Sequence, residues 1–166
     1  MNNNKKYFLY KHTPVILLFT SILNEIDFNL EFRYFSFNFA YILIFYYSLK
    51  REGSIGYVLI FIAGLFNDVI NGLPMGISSL SYLLLCTAAA YLRNITLRPN
   101  LIKDWIYFLI TILILNFITY TYLILFINYE IDYFVQTANI IGTFLLYIVF
   151  SFIFKFYDNF ILGRSN

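Results

Sequence analysis

Charged residues divide this chain into long apolar runs. Residues 34–49 lie between Arg33 and Lys50, residues 105–129 between Asp104 and Glu130, and residues 133–154 between Asp132 and Lys155. The longest run, 53–92, contains a single charge, Asp68. A helix crossing about 30 Å of hydrocarbon at 1.5 Å per residue needs about 20 mostly apolar residues. The 53–92 run is therefore two spans, and Gly72-Leu73-Pro74 in its middle supplies the Gly–Pro punctuation that turns the chain. The pattern predicts five spans, approximately 34–49, 54–72, 74–92, 105–127 and 134–155.

A sixth span is predicted at the N-terminal side, approximately 8–26. Thr13-Pro14 has the form of a helix start, with Thr as cap and Pro in the first turn. Lys11 snorkels to one surface, or Glu25 and Asp27 dip into the other. A secretory signal peptide is the rival reading, since Lys5, Lys6 and Lys11 precede the apolar run; no small-residue cleavage site follows it. Charge placement favours six spans with both termini cytoplasmic. Lys5, Lys6, Lys11, Lys50, Arg51 and Arg93 then fall inside, with Arg98, Lys103, Lys155 and Arg164, leaving only Arg33 outside. The outer loops hold Glu25, Asp27, Glu31, Glu130 and Asp132. This is the asymmetry of the positive-inside rule.

Composition removes the alternatives. Of 166 residues 61% are hydrophobic and 12% charged, with mean hydropathy +0.74. Soluble domains average about 25% charged residues, and disordered chains are richer still in charge. The expectation is an all-α integral membrane protein, a single domain over 1–166, with six helices in a compact bundle. A net charge of +2 gives no ground for nucleic-acid binding. The aromatic content of 22% accompanies abundant Ile, Asn and Lys, as an AT-rich genome produces, and is not taken as a binding surface.

Little in the chain suits catalysis. The single histidine, His12, and the single cysteine, Cys86, lie far apart; no metal-ligand cluster, catalytic triad or phosphate loop can be assembled. No cofactor or metal is expected, and the protein is read as not an enzyme. Cys86 reads as a small apolar filler and His12 as an interfacial polar residue. Trp105, Tyr107, Tyr129, Tyr133 and Tyr157 read as interface belts. Asn116, Thr119, Thr121, Thr137, Asn139, Gly142 and Thr143 suit interhelical hydrogen bonds and close packing, with a ligand site as the sharper alternative.

One segment stands out, Gly64-Leu-Phe-Asn67-Asp68-Val-Ile-Asn71-Gly72-Leu-Pro74-Met-Gly76. Spacings of four and eight put Gly56, Gly64, Asp68 and Gly72 on one helix face, where small residues let a second backbone approach. A buried carboxyl group there needs a partner, and Asn67 and Asn71 add hydrogen-bonding groups. Asp68 marks a binding or docking site, or caps the turn to Pro74 by accepting from the free N–H groups that open the fourth helix.

The pattern Gly64-x-x-x-Asp68-x-x-x-Gly72-x-Pro74-x-Gly76, closing the third of six spans, resembles the rod shape-determining protein MreD family. One departure is Ser36-Phe37-Asn38, where many relatives open the second span with Pro and an acidic residue. The resemblance implies a non-enzymatic inner-membrane component of the bacterial cell-elongation machinery, required for rod shape and lateral peptidoglycan synthesis. It implies an MreC-like single-span partner and, through it, MreB filaments, RodA and the elongation transpeptidase, all in contact with membrane lipid. Gly64, Asn67, Asp68, Asn71, Gly72, Pro74 and Gly76 form the structural and partner motif. The family's fold is similar to that of the substrate-binding subunits of vitamin transporters. A substrate-capturing transporter subunit is thus the alternative function, and a small flippase or exporter subunit a further one.

Overall fold

A computed structural model describes residues 12–23, 37–51, 53, 55–96, 100–127 and 132–162. The Asn2-Asn3-Asn4 run, the lysines before His12, the 24–36 and 128–131 loops, Glu52, Arg98 and Arg164 lie outside the described residues. Within them all regular structure is α-helical. The helices are α1 (His12–Leu23), α2 (Phe39–Lys50), α3 (Tyr57–Ile70), α4 (Ile77–Ile95), α5 (Leu101–Ile127) and α6 (Tyr133–Leu162).

Local chemistry sets most of the observed ends. Asn38 caps α2, its Oδ1 accepting from the Tyr41 N–H at 3.0 Å. Asn100 opens α5 in the same way, accepting from the Ile102 N–H. Asp132 opens α6, accepting from the N–H groups of Phe134 and Val135. Two ends differ from the expected spans. The α5 helix starts at Leu101 instead of 105 because Asn100 is the cap. The α6 helix runs on past 155 to Leu162, carrying Asp158 to a position 3.6 Å from Arg51.

Contacts between elements show the helices alternating in direction. The start of α2 meets α6, where the Asn38 N–H donates to Thr143 Oγ1 at 2.8 Å. The far end of α2 meets the start of α5 through Lys50 and Asp104, and the end of α6 through Arg51 and Asp158. At that same end the Arg93 guanidinium of α4 donates to the Ser48 carbonyl, and the Thr13 and Tyr157 hydroxyls share a hydrogen bond. Every described lysine and arginine (Lys50, Arg51, Arg93, Lys103 and Lys155) lies toward this end. The opposite end holds the α3–α4 turn and the start of α6.

The core forms around α2. Its residues from Ala40 to Leu49 are all buried, which is what a helix apolar on every side requires. This refines the expected second span. At 12 residues α2 is about 18 Å long and is enclosed by protein, chiefly α4 and α6. Aromatic rings fill the space beside it. Phe45, Phe108 and Tyr147 join α2, α5 and α6, with Phe108 and Tyr147 stacked at 4.5 Å, and Phe154 packs on Phe39, Tyr46 and Tyr47. The aromatic content, read in the sequence as a genome bias, thus does structural service in the core. Trp105 belongs to this packing too: its ring stacks on Phe144 at 4.3 Å and its N–H donates to the Phe144 carbonyl. It joins α5 to α6 in addition to lying near a helix end.

The outward faces of α5 and α6 are apolar, with Phe117, Leu125, Phe152 and Phe156 all exposed. These two helices are long and apolar enough to cross a membrane.

Candidate functional site

The α3–α4 hairpin is built almost entirely from the motif. At the end of α3, the Leu73 N–H donates to the Asp68 carbonyl at 2.9 Å and the Gly72 N–H to the Val69 carbonyl at 3.4 Å. This 6→1 and 5→2 pair is a Schellman stop, and Gly72 supplies the positive φ of 63° that it demands. Asn71 sits at the C-cap with its side chain turned back, Nδ2 donating to the Asn67 carbonyl. Pro74 follows two residues after Gly72, where a helix cannot continue.

The next helix opens at Gly76, which has φ 104° and no side chain with which to cap. Asp68 supplies the cap from across the turn. Its Oδ2 accepts from the Gly76 N–H at 2.7 Å and its Oδ1 from the Ser78 N–H at 2.9 Å. The residue is 0% exposed. A carboxyl group placed at the amino end of α4 also lies where the helix dipole favours it. Of the two sequence readings of Asp68, the geometry places it as the cap.

Below the turn the two backbones touch. A Cβ added at Gly64 would fall on the Ser79 backbone, 2.5 Å from its N and nearer still to its Cα. The Ser79 hydroxyl donates to the Phe61 carbonyl at 2.9 Å, tying α4 to α3 at the crossing, and Asn67 Nδ2 donates to Ser78 Oγ at 2.9 Å. Ser78 and Ser79 were not singled out in the sequence; their signal was the small-residue cluster Ser78-Ser79-Leu80-Ser81 opening α4. The expected glycine face needs correction. Gly56 is the exposed N-cap of α3 and Gly72 lies beyond the helix end, and a Cβ at either would meet nothing within 4 Å. Only Gly64 makes the close approach.

Beside the hairpin lies a cavity of about 350 Å³. The start of α2, the α3–α4 turn, α5 and the first turns of α6 enclose it. Asn38, Asn67, Asn116, Gln136 and Asn139 bring five carboxamides to its wall, and Ser78, Ser81, Thr119 and Thr143 bring hydroxyls. Asn67 is buried, and its Oδ1 has no hydrogen-bond partner in the structure. A buried acceptor left in that state costs about 1–3 kcal/mol. The polar residues of α5 and α6 make hydrogen bonds between and within helices, and several of them line the cavity. Ser81 and Thr119 share an interhelical hydrogen bond at 3.1 Å, while Asn116 and Asn139 face a cavity. Thr137 instead bonds its own helix at the Tyr133 carbonyl.

Cys86 is buried and accepts from the Ser48 hydroxyl at 3.2 Å. Among the described residues no group of three His, Cys, Asp or Glu side chains could hold a metal ion. No protein-family model, curated protein or solved structure matches the chain.

Proposed function

We propose that this protein is a six-span inner-membrane scaffold of the bacterial cell-elongation machinery, with both termini in the cytoplasm. On this reading it is not an enzyme. It supports rod shape and lateral peptidoglycan synthesis by binding an MreC-like single-span partner, and through that partner MreB filaments, RodA and the elongation transpeptidase. The observation that carries the reading is the α3–α4 hairpin. The residues that resemble the MreD family are spread over 13 positions, yet Gly64, Asp68, Gly72 and Gly76 each meet a separate geometric demand of one turn. The clustering of described basic residues at one end is the arrangement the positive-inside rule gives to a cytoplasmic face.

The test is the double variant Asp68→Ala with Pro74→Ala, expressed at matched membrane abundance. Recovery of the single-span partner should fall and rod-shaped cells should widen toward spheres. Unchanged partner recovery together with normal cell width would remove the scaffold role of the motif. A second reading, the substrate-capturing subunit of a small-molecule transporter, is favoured by the cavity, which lies at the end opposite the basic residues. A transport complex recovered in place of a single-span partner would favour it.

A further inference from the structure

We infer that the cavity between the α3–α4 turn, α2, α5 and α6 is a binding site for a small uncharged molecule carrying an amide or imide together with hydroxyl groups. The inference goes beyond the scaffold reading and does not depend on it. Its first support is size, since about 350 Å³ falls within the range of small-molecule sites. The second is the charge of the wall. Among the described lining residues there is no lysine, arginine, histidine or cysteine to match a phosphate, a carboxylate or a soft metal ion. The acidic residue among the described lining, Asp132, is exposed, and its Oδ1 is engaged by the N–H groups that open α6. An anionic ligand would meet no cationic side chain among the described lining residues.

The third support is the state of the carboxamides. Asn116 Nδ2 donates to the Ile112 carbonyl of its own helix, which leaves Oδ1 as its acceptor on offer. Asn38 Oδ1 is engaged by the Tyr41 N–H, which leaves its amide N–H groups as donors. Asn67 lines the same space, but its Nδ2 is held by Ser78 and its Oδ1 is shielded from the cavity, so it offers a ligand neither. An acceptor on α5 and donors at the start of α2 thus line the cavity. Their complement is a group that both donates and accepts, as an amide, an imide or a polyol does. Water fills a polar cavity of this kind only until a better-matched ligand displaces it.

The full-length protein, purified in a detergent without a sugar headgroup, is titrated with two uncharged probes, N-acetylglucosamine and uridine. Their charged counterparts, glucosamine and uridine monophosphate, are run in parallel. At least one uncharged probe should raise Tm in a concentration-dependent manner, and its counterpart should not. The shift should vanish in Asn116→Leu, which preserves volume and breaks only a bond within α5, and in Gln136→Leu on α6, which keeps the test alive if the first variant fails to fold. Absence of any shift, equal shifts with charged and uncharged probes, or shifts that survive both substitutions would leave the cavity as a water pocket and overturn the inference. Solvent partition of molecules retained from the membrane, followed by mass spectrometry, separates a free solute in the aqueous layer from a lipid headgroup in the organic layer. The partner-recovery experiment is independent of this titration, so either can fail alone.

Discussion

The two ends of the helix bundle bury a carboxyl group in opposite ways. At the hairpin end Asp68, fully buried, is held by two backbone N–H groups. At the basic end Asp104 is held by the Lys50 ammonium at 2.6 Å, with side-chain exposures of 2% and 27% for Asp104 and Lys50. An ion pair can be dismantled by replacing both partners, whereas a backbone donor is fixed by the fold and cannot be removed by changing a side chain. One end is therefore chemically exchangeable, and the other is geometric. The turn of α3 into α4 exists because particular backbone atoms sit where they do.

The largest effect expected is at Gly64. Its neighbours at the crossing are backbone atoms of Ser79, which cannot swing aside. Gly64→Leu should exceed the roughly 1–3 kcal/mol of ordinary overpacking and leave little folded protein in detergent. Leu65→Ile, a volume-conserving change at a half-buried position, should shift Tm only slightly. Equal Tm values for the two variants would break the description of the hairpin as a backbone contact.

The next pair of substitutions sharpens the comparison itself. Lys50→Met should cost about 3–5 kcal/mol by stranding the buried Asp104, whereas Asp104→Asn should cost less, because the partly exposed lysine can reach water. Adding Asp104→Leu to Lys50→Met should restore most of the loss. Asp68→Ala should cost about 2–4 kcal/mol by orphaning one buried and one partly buried N–H group, and no apolar second-site change should restore it. Chemical denaturation of the four variants reads all of these. Recovery of Asp68→Ala by an apolar neighbour would erase the distinction between the two ends.

The hairpin was legible because its constraints are local. Glycine, aspartate and proline at fixed intervals fix a stop, a remote cap and a start within 13 residues, and Gly64 needed only the four-residue period to be placed on the Asp68 face. Gly56 and Gly72 show where that period misleads: both fit the spacing, but both lie outside the helix that the spacing assumes. The enclosure of α2 was not legible, since a run apolar on every side faces lipid or protein equally well in sequence. The cavity was less legible still. Asn38 and Thr143, hydrogen-bonded across its wall, are 105 positions apart, and the polar positions of α6 such as Gln136, Asn139 and Thr143 carry no sign in the sequence of which helix they face. Polar residues dispersed in this way reveal a common site only once the helices are placed beside one another.

The smallest effect expected isolates geometry from packing. Gly72 has φ 63°, and a Cβ there would meet nothing within 4 Å. Gly72→Ala therefore adds no collision and removes no hydrogen bond, so its whole cost is the strain of a left-handed alanine, about 1–2 kcal/mol. Gly72→Asn should cost less than Gly72→Ala, because asparagine tolerates this conformation better. The ranking Gly, then Asn, then Ala in Tm is a signature that a packing role would not produce, since asparagine is the larger side chain. An order set by side-chain volume would place Gly72 in a crowded contact and return it to the glycine face from which the structure removes it. The order set by conformation would show that the hairpin end is held by backbone geometry even where no neighbouring atom enforces it.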